Sequence, residues 1–424
     1  MKKENDLIMS GDGAAKLGFP MWPQFAPETL TDIQEPIKNG LVNYWTGKKG
    51  MEFEEVFAKW QGSKFAISCT NGTAALHTAI ASLGLGPGDE VIVPSYSFIA
   101  SSFSIVQAGA IPVFGDVTEE HTLDPAGLEE LLTQRTKALI VVHLYGIVAD
   151  MGPILAFAKT HNLYVIEDCA QCFGGTYKGV KVGNLGDVGC FSFCQSKHFT
   201  TGGEGGMVVT NNAELAWECR SFRDHGYDVK ERLNLLAMEE KLTYIHNRVG
   251  FNYRMTEIQS IIGINEIKRF DSWNLPRRRA FAKIYDEAFR DLRGIKAIPV
   301  NTAERQNAYW WYPILLDLAE ITIEAPQFSK ELVGMGIPCY GIQWPEAYEE
   351  KAYKELNGFG KVKFPFLSQE YTDADSVNYS ATVCPVAKKM RSQTLSLFLH
   401  PTWQEEHIQL CIDAVKSVLQ KHYK

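Results

Sequence analysis

The chain has 424 residues, more than one hydrophobic core usually organises, so two domains in one subunit are expected. Its apolar (45%) and charged (22%) fractions suit an ordinary soluble globule, and a net charge of −8 argues against a nucleic-acid or anionic-membrane partner. The apolar region from Ala138 to Ala158 is broken by His143, Asp150, Gly152 and Pro153, so no membrane span is expected there.

The N-terminal Met-Lys-Lys-Glu-Asn-Asp lacks the apolar run of a secretory signal, and nine cysteines form no small-domain framework. Both features predict a reducing, cytoplasmic setting. In chain order, an arm over residues 1–35 carries Phe19-Pro-Met-Trp-Pro-Gln. A large domain is expected over 36–265. Lys64 to Thr70 reads as a short strand, and Asn71-Gly-Thr-Ala-Ala-Leu as a helix start. Strands follow at Val91 and Ile111, then a helix capped by Asp124-Pro125. Further strands are predicted at Ala138 to His143, Leu163 to Ile166, Val188 to Phe193 and from Met207, with a helix from about Pro153. Apolar strands alternating with helices predict an α/β fold with a mostly parallel sheet covered on both faces.

Beyond residue 265 the pattern changes, and a smaller C-terminal α+β domain is expected over 266–424. It comprises a long helix over Lys268 to Leu292, an aromatic strand Tyr309-Trp-Trp-Tyr-Pro-Ile-Leu-Leu, and a closing helix from Glu405 towards Val418. Arg277-Arg-Arg279 on the long helix reads as a solvated face in preference to a diphosphate site. Cys169 and Cys172, with Cys190 and Cys194, approach a zinc-ribbon spacing. Without knuckle turns they read as small buried hydrophobes, and no metal is expected.

Ligands of such sheets sit outside the carboxyl ends of the strands, where both Lys197 and Asp168 are predicted to lie. A lysine and an acid so placed are what pyridoxal phosphate (PLP) chemistry requires. The amine forms a Schiff base with the cofactor aldehyde, and the carboxylate keeps the pyridine nitrogen protonated so that the ring withdraws electrons. Lowering a lysine amine to about 7–8 destabilises its charged form by about 4 kcal/mol, which partial burial can supply.

Taken singly, each residue also has an ordinary explanation. Lys197 could be a solvated lysine after a strand, and Asp168 a helix cap. Gln171 could be a polar loop residue. Asn71-Gly72-Thr73 is either a capped turn or a phosphate site built from helix N–H groups. Ser192 could bond the phosphate or nearby backbone, and Phe98 could stack on a ring or belong to the core. Thr201-Gly-Gly-Glu-Gly-Gly206 is either a flexible loop or a close backbone approach to a ligand.

Further motifs lie in the same order along the chain. They are Thr70-Asn-Gly-Thr-Ala-Ala-Leu, Gly88-Asp-Glu-Val-Ile-Val-Pro-Ser, Val142-His-Leu-Tyr-Gly, Glu167-Asp-Cys-Ala-Gln, Phe191-Ser-Phe ahead of Lys197, Gly203-Glu-Gly-Gly and Gly250-Phe-Asn-Tyr-Arg-Met. Over nearly its whole length the chain resembles the DegT/DnrJ/StrS-type sugar aminotransferases of the fold type I PLP class. The resemblance implies that Lys197 is the Schiff-base lysine and proton carrier. It implies that Asp168 holds the pyridine nitrogen, Gln171 the ring oxygen and Phe98 the ring face. Gly72, Thr73 and Ser192 would hold the phosphate. Asn252 would reach the cofactor phosphate of a neighbouring subunit and Arg254 a substrate carboxylate there, making a homodimer with shared active sites.

The implied reaction moves an amine from glutamate or glutamine to a ketone on a sugar, nucleotide-linked or not, or on a cyclitol. An aminodehydroquinate- or aminohydroxybenzoate-type synthase and a PLP-binding regulator without turnover stand as alternatives. Sugar dehydratases of this kind replace the lysine with histidine, whereas here His198 follows Lys197. Cysteine desulfurases usually place histidine before the lysine, where this chain has Ser196. The sequence departs from the family pattern at Cys169, at Gln195 and over Tyr340-Gly-Ile-Gln-Trp-Pro345. The N-terminal arm and Ser95 to Ser102 are more similar to the branch that handles cyclitol ketones.

Overall fold

The computed structural model describes residues 14, 16–228, 245–340 and 344–424. The N-terminal run lacking a signal-like stretch, and residues 341–343 of the Tyr340 to Pro345 segment, lie outside the described residues.

Seven strands form the large sheet: β1 (Phe65–Cys69), β2 (Glu90–Pro94), β3 (Ile111–Gly115), β4 (Thr136–Val142), β5 (Tyr164–Asp168), β6 (Val188–Ser192) and β7 (Gly206–Thr210). Their order is β1-β7-β6-β5-β4-β2-β3. Pairing is parallel from β6 to β3, and β7 runs antiparallel to both its neighbours. Side chains alternate across the sheet: Ala138, Ile140 and Val142 enter one core layer, Leu139 and Val141 the other. Both layers are apolar, so the strands read as nearly unbroken hydrophobic runs.

The same alternation separates two neighbouring acids on β5. Glu167 shares its face with Val165, and Asp168 shares the opposite face with Ile166. Asp168 is level with Cys190 of β6, and Ser192 with Gly206 of β7, so these strand ends gather at one edge.

A second sheet contains β8 (Ile295–Ala297), β9 (Tyr312–Leu316), β10 (Cys339–Tyr340) and β11 (Thr394–Leu397), in the order β8-β9-β11-β10. The expected aromatic strand therefore begins at Tyr312. Tyr309 to Trp311 form the approach to it, with Tyr309 at φ 51°. The long helix expected over Lys268 to Leu292 is two helices, Glu257–Arg269 and Leu275–Phe289, joined by a wide turn at Phe270–Asn274. The first of them runs unbroken through residue 265. Asp124 caps a 3-10 turn, Pro125–Gly127, that runs directly into a short α-helix, Leu128–Leu131. The closing helix extends to His422.

Arg277 to Arg279 are neither a solvated face nor a diphosphate site. Arg278 is buried and donates to Asn274 Oδ1 and to the carbonyls of Tyr309, Trp310 and Leu399. Arg277 donates to the Pro401 and Trp403 carbonyls, and Arg279 to those of Asn307 and Gly174. The three guanidinium groups tie the helix to irregular backbone through carbonyl acceptors, with Arg278 Nη2 left without a partner among the described residues.

Residues 346–384 return from the second sheet and pack along β3. There the Tyr379 hydroxyl donates to the Pro112 carbonyl at 3.1 Å. The Tyr371 hydroxyl accepts from Gly88 N–H at 2.8 Å and donates to the Asp89 carbonyl at 2.9 Å. No helix among the described residues is long and apolar enough to cross a membrane.

Candidate active site

At the carboxyl edge of β1, β5 and β6 lies a cavity of ≈ 610 Å3. Gly72, Thr73, Phe98, Asp168, Gln171, Ser192 and Lys197 all line it. The fold thus brings together seven of the nine residues singled out from the sequence. Asn252 is exposed and Arg254 pairs with Asp224, so both stand outside the cavity of their own chain.

β1 feeds directly into helix Gly72–Ser82, whose cap Asn71 accepts from Ala74 N–H at 2.8 Å. First-turn N–H groups have no partners inside a helix, so those of Gly72 and Thr73 are donors available to an anion. Glycine is required here by close approach: a Cβ on Gly72 would lie 2.6 Å from Ser192 Cβ. One on Gly206 would lie 2.3 Å from the Asn71 carbonyl oxygen. The glycine run after the lysine therefore lets β7 pass this turn. Thr201 Oγ1, bonded to the Glu204 carbonyl, and Gly203 N–H, bonded to Thr200 Oγ1, hold the loop itself.

Asp168 is held on both oxygens. Ser101 Oγ donates to Oδ2 at 2.7 Å, and Ala170 N–H to Oδ1 at 3.1 Å. Gln171 Oε1 accepts from Tyr145 N–H at 2.8 Å, which fixes the amide's orientation and leaves its NH2 end facing the cavity.

The Lys197 amine lies 4.1 Å from the centroid of the Trp310 ring, and Trp310 Nε1–H donates to the Ser196 carbonyl at 2.5 Å. The aromatic face favours the ammonium form, but burial outweighs it. Removal from water pushes the amine down to about 8, against the opposing pull of the Asp168 carboxylate. Phe98 is 51% exposed, its ring uncovered towards the cavity, with Trp344 6.1 Å away.

Sequence reasoning missed Ser101, Tyr145, Trp310 and Tyr253. Tyr145 and Tyr253 lie inside motifs already noted, but nothing local shows that Tyr145 N–H aligns Gln171 or that Tyr253 reaches the wall. Trp310 was visible only as part of an aromatic run. His198 is buried, bonded through Nε2 to the Ala308 carbonyl at 3.1 Å, and burial holds it well below the ordinary histidine range. It is a neutral structural residue rather than a substitute base.

The cysteines form no common ligand set. All nine are free thiols, and burial pushes those of Cys169, Cys172 and Cys190 up. Among the described residues the one group close enough to grip a metal is His143, Glu167 and Cys169. The lone pairs of two of its three members, Glu167 and His143, are already committed. Glu167 accepts from Gly183, Leu185 and Gly186 N–H and from His143, and His143 Nδ1 accepts from Ala149 N–H.

Comparison with known proteins gives a consistent answer. Residues 23–366 match the model of the DegT/DnrJ/EryC1/StrS aminotransferase family. GDP-perosamine synthase of Caulobacter vibrioides is 43% identical over 300 residues, covering 70% of this chain and 77% of that one. L-glutamine:2-deoxy-scyllo-inosose aminotransferase of Streptomyces paromomycinus is 33% identical over 344 residues, covering 78% and 80%. The X-ray structure of the aminotransferase from Psychrobacter cryohalolentis superposes with a TM-score of 0.84 at 34% identity, covering 95% of this chain and 99% of the other.

Proposed function

The chain is an aminotransferase of the DegT/DnrJ/EryC1/StrS family with the fold type I architecture, and from that premise we propose that it uses pyridoxal phosphate to aminate a ring ketone in the making of an amino sugar or aminocyclitol. The donor is glutamate or glutamine. The acceptor is a keto-sugar, nucleotide-linked or not, or a cyclitol ketone; the two relatives named above span both types.

The residues present suit the cofactor. Gly72 and Thr73 N–H groups and the Ser192 hydroxyl would hold its phosphate, in a cradle that a Cβ on Gly72 would fill. Asp168 would grip the pyridine N–H, its oxygens fixed by Ser101 and Ala170. The free NH2 of Gln171 would donate to the ring oxygen, and Phe98 would cover the ring face. Bound there, pyridoxal phosphate supplies an electron-withdrawing ring. Lys197 would be both its covalent anchor and the base that moves a proton at the substrate carbon. An amine lowered to about 8 is the free base for about a tenth of the time at neutral pH, against well under a thousandth for an ordinary lysine. Trp310 limits where that amine can swing, and the aromatic walls exclude water.

Asn252 and Arg254 we assign to the neighbouring subunit's site, the first to the phosphate and the second to a substrate carboxylate. This makes a homodimer the working unit. What supports it is their exposure or ion pairing outside their own cavity, combined with the family pattern.

One observation carries the reading: a desolvated lysine amine and a fixed aspartate share one cavity at the strand ends. Borohydride reduction of the PLP-loaded protein, followed by peptide mass spectrometry, should place the adduct on Lys197. Glutamate should also bleach the cofactor absorbance of the wild type, and Lys197→Ala should abolish amine exchange. An adduct on another residue, or exchange by Lys197→Ala, sinks the assignment.

A further inference from the structure

A base that takes up a proton inside a desolvated cavity becomes a buried cation, and a buried cation needs stabilisation. Among the described residues no hydrogen bond or ion pair holds the Lys197 amine. What lies beside it is the face of Trp310, with Nζ 4.1 Å from the ring centroid. That is well inside the range over which an aromatic quadrupole attracts a cation, and indole is the strongest of the aromatic partners.

The ring is fixed where it lies. The Trp310 backbone N–H donates to the Tyr145 carbonyl at 2.8 Å, and its own carbonyl accepts from the buried Arg278 at 3.0 Å. Trp311 stacks on it with centroids 3.7 Å apart and 16° between the planes. Trp310 Nε1–H donates to the carbonyl of Ser196, the residue immediately before the lysine. Lys197 N–H donates in turn to the Cys194 carbonyl at 2.9 Å. The lysine follows β6 of the large sheet and the ring leads into β9 of the second, yet these bonds make them one unit.

Opposing influences act on the amine's charge. Burial pushes it down to about 8, while Asp168, Cys194 and Glu204 pull the other way. His198, next along the chain, is kept neutral by burial. Once Asp168 grips the pyridine N–H its charge is shared with that proton, and more of the ammonium's stabilisation falls to the ring. A π face attracts the cation but presents no lone pair to compete for its proton.

We propose that Trp310 is a positioning residue, whose ring holds the ammonium form of Lys197 between the two halves of the proton transfer. The proposal rests on the aminotransferase reading and deepens it. Lys197 Nζ takes the proton from the substrate carbon while the C–H electron pair passes into the cofactor ring. It then gives the same proton to the cofactor carbon that bears the nitrogen, so the amine ends neutral, as it began.

The test uses the full-length protein loaded with pyridoxamine phosphate, in which the Lys197 amine is free. Acylation of Lys197 by acetic anhydride is followed against pH by peptide mass spectrometry, which gives the amine's titration midpoint without turnover. Trp310→Met removes the π face but keeps an apolar filling, and Trp310→Phe keeps a face but loses the bond to Ser196. The isotope effect with α-deuterated glutamate is measured on the PLP-loaded forms. Where Trp310→Met melts below the wild type, a fluorinated tryptophan at the same position replaces it, keeping shape and N–H while draining negative charge from the face.

Trp310→Met should lower the midpoint by about one pH unit. It should also raise the isotope effect, as proton transfer becomes the slow step. Trp310→Phe should lie between Trp310→Met and the wild type in both. A midpoint at or above that of the wild type overturns the proposal, and so does a lowered midpoint with an unchanged isotope effect. A wild type that exchanges no amine with glutamate sinks the aminotransferase reading instead, and the midpoints still decide whether the ring holds the charge.

Discussion

Glu167 and Asp168 are consecutive residues on one strand, yet the sheet gives them opposite occupations. Glu167 points into one core layer and accepts from three backbone N–H groups and a histidine, so both its oxygens are saturated. Asp168 points to the other face, where one serine and one backbone N–H steady it while it still lines the cavity. A carboxylate with every acceptor site spoken for is scaffold, and one held but not filled is available for chemistry. The same contrast separates Arg278, whose bonds tie backbone together, from Lys197, whose amine lies over an aromatic face within reach of the Asp168 charge.

This contrast can be broken experimentally. The largest effect is expected for Asp168→Asn, which keeps the shape and removes the charge. It should lower kcat by on the order of 10²–10⁴ with an unchanged melting temperature, checked by steady-state kinetics and calorimetry. Glu167→Ala should do the reverse, costing about 3–5 kcal/mol in urea unfolding while the molecules that remain folded still turn over.

Lys197→Met tests the lysine in cofactor-free protein. The folded amine titrates near 8 and the unfolded one near 10.5, so below pH 8 the folded state bears the full penalty of a buried charge. The variant should therefore exceed the wild type by about 1–3 kcal/mol at pH 7, the half-buried amine keeping the gain below the full linkage value. The difference should shrink as pH rises from 8 towards 10.5. An advantage that is constant with pH would mean the amine is not desolvated. Smallest is Phe98→Leu, expected to weaken PLP binding by about 0.5–1.5 kcal/mol in a fluorescence titration.

The strand-end chemistry was legible in the sequence because apolar runs terminate abruptly at Asp168 and ahead of Lys197, and a parallel sheet aligns such ends. The role of Arg277 to Arg279 was not. Three consecutive arginines on a helix look solvated unless one knows that the carbonyls of Tyr309, Trp310, Leu399, Pro401 and Trp403 converge on them. The break at Phe270–Asn274 is announced only by Pro276, in the first turn of the helix that follows it. Ser101 and Trp310 belong to the site through contacts more than sixty residues apart in sequence, beyond the reach of local pattern.

The segment over 346–384 has an effect unrelated to catalysis. Its Tyr379 hydroxyl bonds the Pro112 carbonyl on the outermost strand and its Tyr371 hydroxyl lies against the Gly109 carbonyl just ahead of it, covering part of the main chain that a foreign polypeptide would otherwise template upon. That border is thereby a poorer template for edge-to-edge self-association.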